Sequence, residues 1–85
     1  MANMRGSKFN PLTAYLMNSG LDELTLSFKQ IESILGFPLC PSARKYITYW
    51  HPTETHMLPK AWLEAGYEMI HLDLHSETVI LQKML

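Results

Sequence analysis

Arg44 and Lys45 stand between Ser42 and Thr48, in a segment whose apolar residues recur at helical spacing. An arginine guanidinium presents a planar fork of donors that matches phosphate oxygens and the major-groove edge of guanine. A helix beginning near Ser42 would also turn its first backbone N–H groups toward a phosphate. Read as a helix over 42–50, the segment places Ala43, Tyr46, Ile47 and Trp50 at i, i+3, i+4 and i+7. Arg44, Lys45 and Thr48 then face away from the core, with Tyr49 at the margin, which is the layout of a recognition helix for duplex DNA. Lys29, Lys60 and His51 would extend this basic face, and Glu32 and Glu54 would oppose it. The same residues also fit a plain solvated helix face, because two charges make a small patch. In a further structural account, Arg44 pairs with Glu32 or caps a helix-end carbonyl.

Other chemistry-bearing residues are weaker candidates. His71, Asp73 and His75 alternate on one strand face, and two imidazoles with a carboxylate are zinc-type ligands. They come from a single element with no fourth ligand evident, so a solvated strand face is the expectation. His51 and His56 flank a polar loop. Cys40 lies between Leu39 and Pro41 with no neighbouring base to lower its pKa, and it reads as a small buried or half-buried residue. Trp50 and Trp62 could stack on unpaired bases, but their helical spacing points to the core. The sequence holds no glycine-rich phosphate loop, no Ser/His/Asp signature and no paired-carboxylate spacing. The expectation is a binding domain that is not an enzyme and takes no cofactor or metal.

These residues need elements to position them. Asn10-Pro11 reads as a helix start with proline at the first helical position, Leu12, Tyr15 and Leu16 as its inner face, and Gly20 as its left-handed end. Leu24–Leu26 reads as a short strand. Ser27 and Gln30 have capping-box spacing, with Leu26 and Ile31 as a hydrophobic staple across it, and Gly36 ends that helix near Leu35. After the helix over 42–50 comes a polar loop, 51–56, and a small helix from Leu58 to Ala65 stopped by Gly66. Ile70, Leu72 and Leu74 then alternate with His71, Asp73 and His75. A turn at Ser76-Glu77 would set Leu74 opposite Val79 and Leu72 opposite Leu81 as a hairpin. The expected fold is α+β, with three to four short helices, a short N-terminal strand and a C-terminal hairpin. Its order is close to a winged helix-turn-helix, with two departures. The connection between the paired helices exceeds the usual length, and the small helix separates the recognition helix from the wing.

Length and composition set the remaining bounds. Eighty-five residues suffice for one domain, expected over 9–85 behind a loose arm at 1–8. The chain is 47% apolar with a net charge of −1, so it folds but carries no general basic excess for gripping nucleic acid. The apolar runs are too short for a membrane span. The N-terminus lacks the apolar centre of a signal peptide, and a lone cysteine suits the cytoplasm.

Several motifs recur together along the chain: Lys8-Phe9-x-Pro11-Leu12-x-x-Tyr15-Leu16, Leu26-x-Phe28-x-x-Ile31-Glu32-x-Ile34-Leu35-Gly36, Pro41-Ser42-Ala43-Arg44, Trp50, and Ala61-Trp62-Leu63-x-Ala65-Gly66-Tyr67. In this pattern the chain resembles an uncharacterised family of small bacterial and phage domains, over residues 8 to about 81. Typical members carry Leu-Pro-x-Ser-Ala-Arg and Trp-Trp-x-Asn. Here Cys40 stands in the first proline's place, Tyr49 replaces a tryptophan, and His51-Pro52 precedes the position of the asparagine. The resemblance implies a nucleic-acid-associated role. The functional expectation is therefore a domain that binds double-stranded DNA through Ser42, Arg44, Lys45, Thr48, Tyr49, Lys29 and Lys60. The alternative is a protein-interaction module, either a phage-type inhibitor or adaptor or a homodimer, favoured by near-neutral charge and six methionines.

Overall fold

Among the described residues three antiparallel strands form one sheet, and the buried side chains of the helices gather with its inner face in one core. The computed structural model describes residues 8–51 and 57–84. Residues 1–7 of the arm expected at 1–8, residues 52–56 of the loop expected at 51–56, with Glu54 and His56, and Leu85 lie outside them. In chain order the elements are α1 (Asn10–Ser19), β1 (Glu23–Ser27), α2 (Phe28–Leu35), α3 (Pro41–Lys45), a 3₁₀ helix (Ile47–Trp50), α4 (Met57–Glu64), β2 (Tyr67–Asp73) and β3 (Thr78–Lys83). The fold is thus α+β. The strand order is β1-β3-β2, so β3 is central and pairs antiparallel on both sides.

Local signals shape the first half. Pro11 supplies a preset φ and α1 ends on Gly20 at φ 70°, a backbone region where a side chain is costly. The cap is Phe9, one residue before the expected Asn10, and no side chain caps the helix. Leu12, Thr13 and Leu16 are buried, while Tyr15 faces outward instead of inward. Thr13 replaces it inside because its hydroxyl donates to the Ala61 carbonyl at 2.9 Å, fastening α1 to α4. The capping box forms as expected. Gln30 N–H donates to Ser27 Oγ at 3.0 Å, and Ser27 N–H donates to Gln30 Oε1 at 2.8 Å. Leu24, Leu26, Val79 and Leu81 line the inner face of the sheet against Phe28, Ile31, Trp50, Leu58 and Trp62.

The hairpin exists in a different register. Leu72 lies opposite Val79, and Met69 opposite Leu81. A bulge between Met69 and His71 adds one residue, turns Ile70 outward and puts Met69 against the core. The strict 70/72/74 alternation therefore fails at its first member. Residues 74–77 form the turn, and Glu77 adopts φ 57°.

The largest departure is at residues 42–50. They do not form one helix: α3 spans five residues, Tyr46 is extended at φ −122° and ψ 123°, and a 3₁₀ helix follows. The Tyr46 N–H donates to Ser42 O at 2.9 Å, the last bond of α3. In a continuous helix the next donor, Ile47 N–H, would meet Ala43 O. That carbonyl instead accepts from the Trp50 indole Nε1 at 2.7 Å. Ala43 and Trp50 are fully buried, and Tyr46 and Ile47, expected inside, are each 57% exposed.

Candidate functional site

Trp50 anchors the region. Its indole stacks on Phe28 of α2, with centroids 4.7 Å apart, and on Trp62 of α4 at 6.0 Å. Both tryptophans therefore belong to the core, as their spacing suggested, and neither offers a face to a base. With Trp50 fixed and its N–H on Ala43, the chain between them must loop outward. Tyr46 and Ile47 form the crest of that loop, with exposed Lys45 and Thr48 on either side.

Arg44 is paired within the fold, with Glu32 as one of its two carboxylate partners. Its Nη1 donates to Glu32 Oε2 at 3.0 Å and its Nε to Glu77 Oε2 at 3.0 Å, while its guanidinium carbon sits 5.7 Å from the Phe28 ring centroid. Glu32 Oε2 also accepts the Leu39 N–H at 2.8 Å. The Leu39 amide first, and the Arg44 guanidinium second, hold the Glu32 carboxyl below the usual carboxylate range. Glu32 in turn raises the arginine. The Phe28 N–H donates to the Glu77 carbonyl at 2.8 Å, so the hairpin turn is bound to α2 by backbone and through Arg44 by side chain. One guanidinium thus ties α2, α3 and the turn together, and two carboxylates balance its charge.

The remaining predicted residues stand on α2, α3, the 3₁₀ helix and α4. Ser42, Lys45 and Thr48 are exposed on α3 and the 3₁₀ helix. Ser42 begins no long helix, because α3 ends at Lys45. Lys29 stands on α2 within electrostatic reach of Glu32, and Lys60 is half-buried on α4. Tyr49 is half-buried, edge-on to Trp50 at 5.8 Å, and burial followed by a hydrogen bond with Cys40 pushes its phenol well upward. Cys40 itself is exposed rather than buried, because it precedes α3 in an extended conformation.

His71 faces Ile80 across the sheet. Asp73 Oδ1 accepts the Ser76 and His75 N–H groups at 3.2 and 2.9 Å, and these bonds, Ser76's foremost, hold its carboxyl low. Among the described residues no three His, Cys, Asp or Glu side chains assemble as a metal set. No helix of the described residues is long and apolar enough to cross a membrane.

Sequence reasoning missed Glu77 and the exposed pair. Glu77 sits in a turn, and nothing in its neighbours signals that the turn returns to α2. Tyr46 and Ile47 fit a buried helical face so well that only the three-dimensional position of the Trp50 N–H reveals them.

No curated protein and no solved structure matches the chain. A family model described as a domain of unknown function, DUF7662, matches residues 9–84, all but the two ends, and the chain belongs to that family.

Proposed function

We propose that this domain is a non-catalytic protein-interaction module whose docking surface centres on Tyr46 and Ile47. The observation that carries the reading is their exposure, 57% each, at a loop crest held out by the buried Trp50–Ala43 bond. Scattered exposed apolar residues are ordinary. Two consecutive ones on a rigidly anchored crest form a preorganised contact, and tyrosine is among the residues enriched at binding hot spots. The partner is a protein presenting an apolar cleft with acidic residues at its rim, to receive Ile47 and Tyr46 and to face Lys45. The charge balance supports this reading over nucleic acid, because Arg44 faces two carboxylates and the whole chain is at −1. The test is affinity capture from the native cell, comparing the wild type with Ile47→Asp and Tyr46→Ser. Proteins retained by the wild type and lost from both variants support the reading. An identical set on all three, or a retained fraction removed by nuclease, contradicts it.

A second reading keeps duplex DNA as the partner. It is favoured by the arrangement of β1 ahead of α2 and α3 and in one sheet with the C-terminal hairpin, an order close to that of a winged helix-turn-helix apart from the interposed 3₁₀ helix and α4. In that reading Lys45, Thr48 and Ser42 meet the backbone. Salt-dependent duplex affinity that falls in Lys45→Ala would establish it.

A further inference from the structure

We propose that a second copy of this chain covers α1, the two helices packing antiparallel across a two-fold axis. Residues 9–21 contain no charged side chain. A surface helix normally turns charged residues to water, yet the outward side of α1 consists of Pro11, Ala14 and Asn18, flanked by Tyr15 and Met17. Met17 is 67% exposed, and Leu21 just beyond the helix is 53% exposed. The Asn18 amide on this face is engaged by its own helix, since its Nδ2 donates to the Ala14 carbonyl at 2.9 Å. Ala14, near the helix midpoint, leaves room for a second backbone to approach.

A two-fold contact sets a patch against itself, so a patch bearing charge would meet the same charge. A face free of charge avoids that penalty. The charges lie at the two ends and are opposite in sign: Lys8 before the helix, Asp22 and Glu23 after it. Lys8 is stationed there, with its Nζ 5.6 Å from the Phe9 ring centroid and 5.2 Å from that of Phe37. Antiparallel packing brings Lys8 of one copy to Asp22 and Glu23 of the other and opposes the helix dipoles favourably. Parallel packing would set like charge on like. Two ten-residue helices, each about 15 Å long, bury less than a standard interface, so the dimer is weak and concentration-dependent. It rests on a surface separate from the Tyr46–Ile47 crest, and neither proposal depends on the other.

Sedimentation equilibrium of the full chain from roughly 10 to 500 µM, the range suited to a small interface, tests it. The expected mass rises above 9.8 kDa toward twice that value. Ala14→Glu and Met17→Glu each hold the chain at 9.8 kDa, with circular dichroism confirming the fold. Lys8→Glu weakens the dimer by about tenfold, and adding Asp22→Lys with Glu23→Lys restores it. In a Cys40→Ser background, Ala14→Cys oxidises to a covalent dimer and Ser33→Cys on α2 does not. A mass of 9.8 kDa at every concentration, or a dimer that survives both glutamate variants, overturns the proposal.

Discussion

The indole Nε1 of Trp50 lies 2.7 Å from the carbonyl oxygen of Ala43 and takes the acceptor that a continuing helix would need. This one bond separates two functional pictures. With the helix unbroken, Tyr46 and Ile47 would be core residues and Arg44, Lys45 and Thr48 a reading face. With the bond made, the aromatic and the aliphatic are displayed and the arginine turns to Glu32 and Glu77.

Replacing Trp50 by Phe keeps the aromatic stack on Phe28 and Trp62 but removes the N–H. The buried Ala43 carbonyl then loses its donor, at a cost of about 1–3 kcal/mol. Urea unfolding measures this, and Trp50→Ala, which also leaves a cavity, costs about 3–5 kcal/mol. A Trp50→Phe variant as stable as the wild type would show that the bond does not hold the crest.

Arg44→Ala destabilises the fold by about 1 kcal/mol, since the guanidinium is partly exposed and its pairs are screened. A double-mutant cycle with Glu32→Ala shows coupling between the two. Under the protein-interaction reading, Arg44→Ala leaves duplex DNA affinity at low salt unchanged, because the guanidinium is engaged by the Glu32 and Glu77 carboxylates. Loss of a measurable affinity in this variant would instead place Arg44 on a phosphate.

Acid acts on the same clamp. The folded pKa of Glu32 lies below its unfolded value, so the carboxylate's contribution is complete above the ordinary carboxylate range of about 4. It is lost as pH falls through the folded value. Asp73 is lowered as well and adds in the same direction. The urea midpoint therefore declines on acidification from about pH 5 downward. Glu32→Gln, whose amide oxygen still accepts the Leu39 N–H, flattens part of that decline, and adding Asp73→Asn flattens more.

Alkali acts on Tyr49. Its folded phenol ionises later than a free one, so its contribution is complete below the ordinary tyrosine value of about 10 and lost as pH rises. Absorbance titration of the four tyrosines shows a late component. Tyr49→Phe removes that component, and Cys40→Ala moves it slightly earlier.

What could be read from the sequence was what adjacent residues decide. The Ser27–Gln30 box, the left-handed glycines 20, 36 and 66, and, to within one residue, the start of α1 beside Pro11 are matters of a few neighbouring dihedrals. The Arg44–Glu32 pair was one of two structural partners open to Arg44, and geometry chose it. The bulge at Ile70, the inward turn of Thr13 and the break at Tyr46 each depend on a group outside the local pattern: the central strand, the Ala61 carbonyl and the Trp50 indole. A periodicity template has no access to such partners, and it assigned the exposed pair Tyr46 and Ile47 to the core.

Site-specific photocrosslinking from position 47 in the native cell reads out what the Tyr46–Ile47 crest touches. A photoreactive residue replaces Ile47, with Ser33 on α2 as the control position. Discrete protein adducts are expected from position 47, absent from position 33 and abolished when Tyr46→Ser is added. Nucleic-acid adducts, or the same protein adducts from both positions, would contradict it.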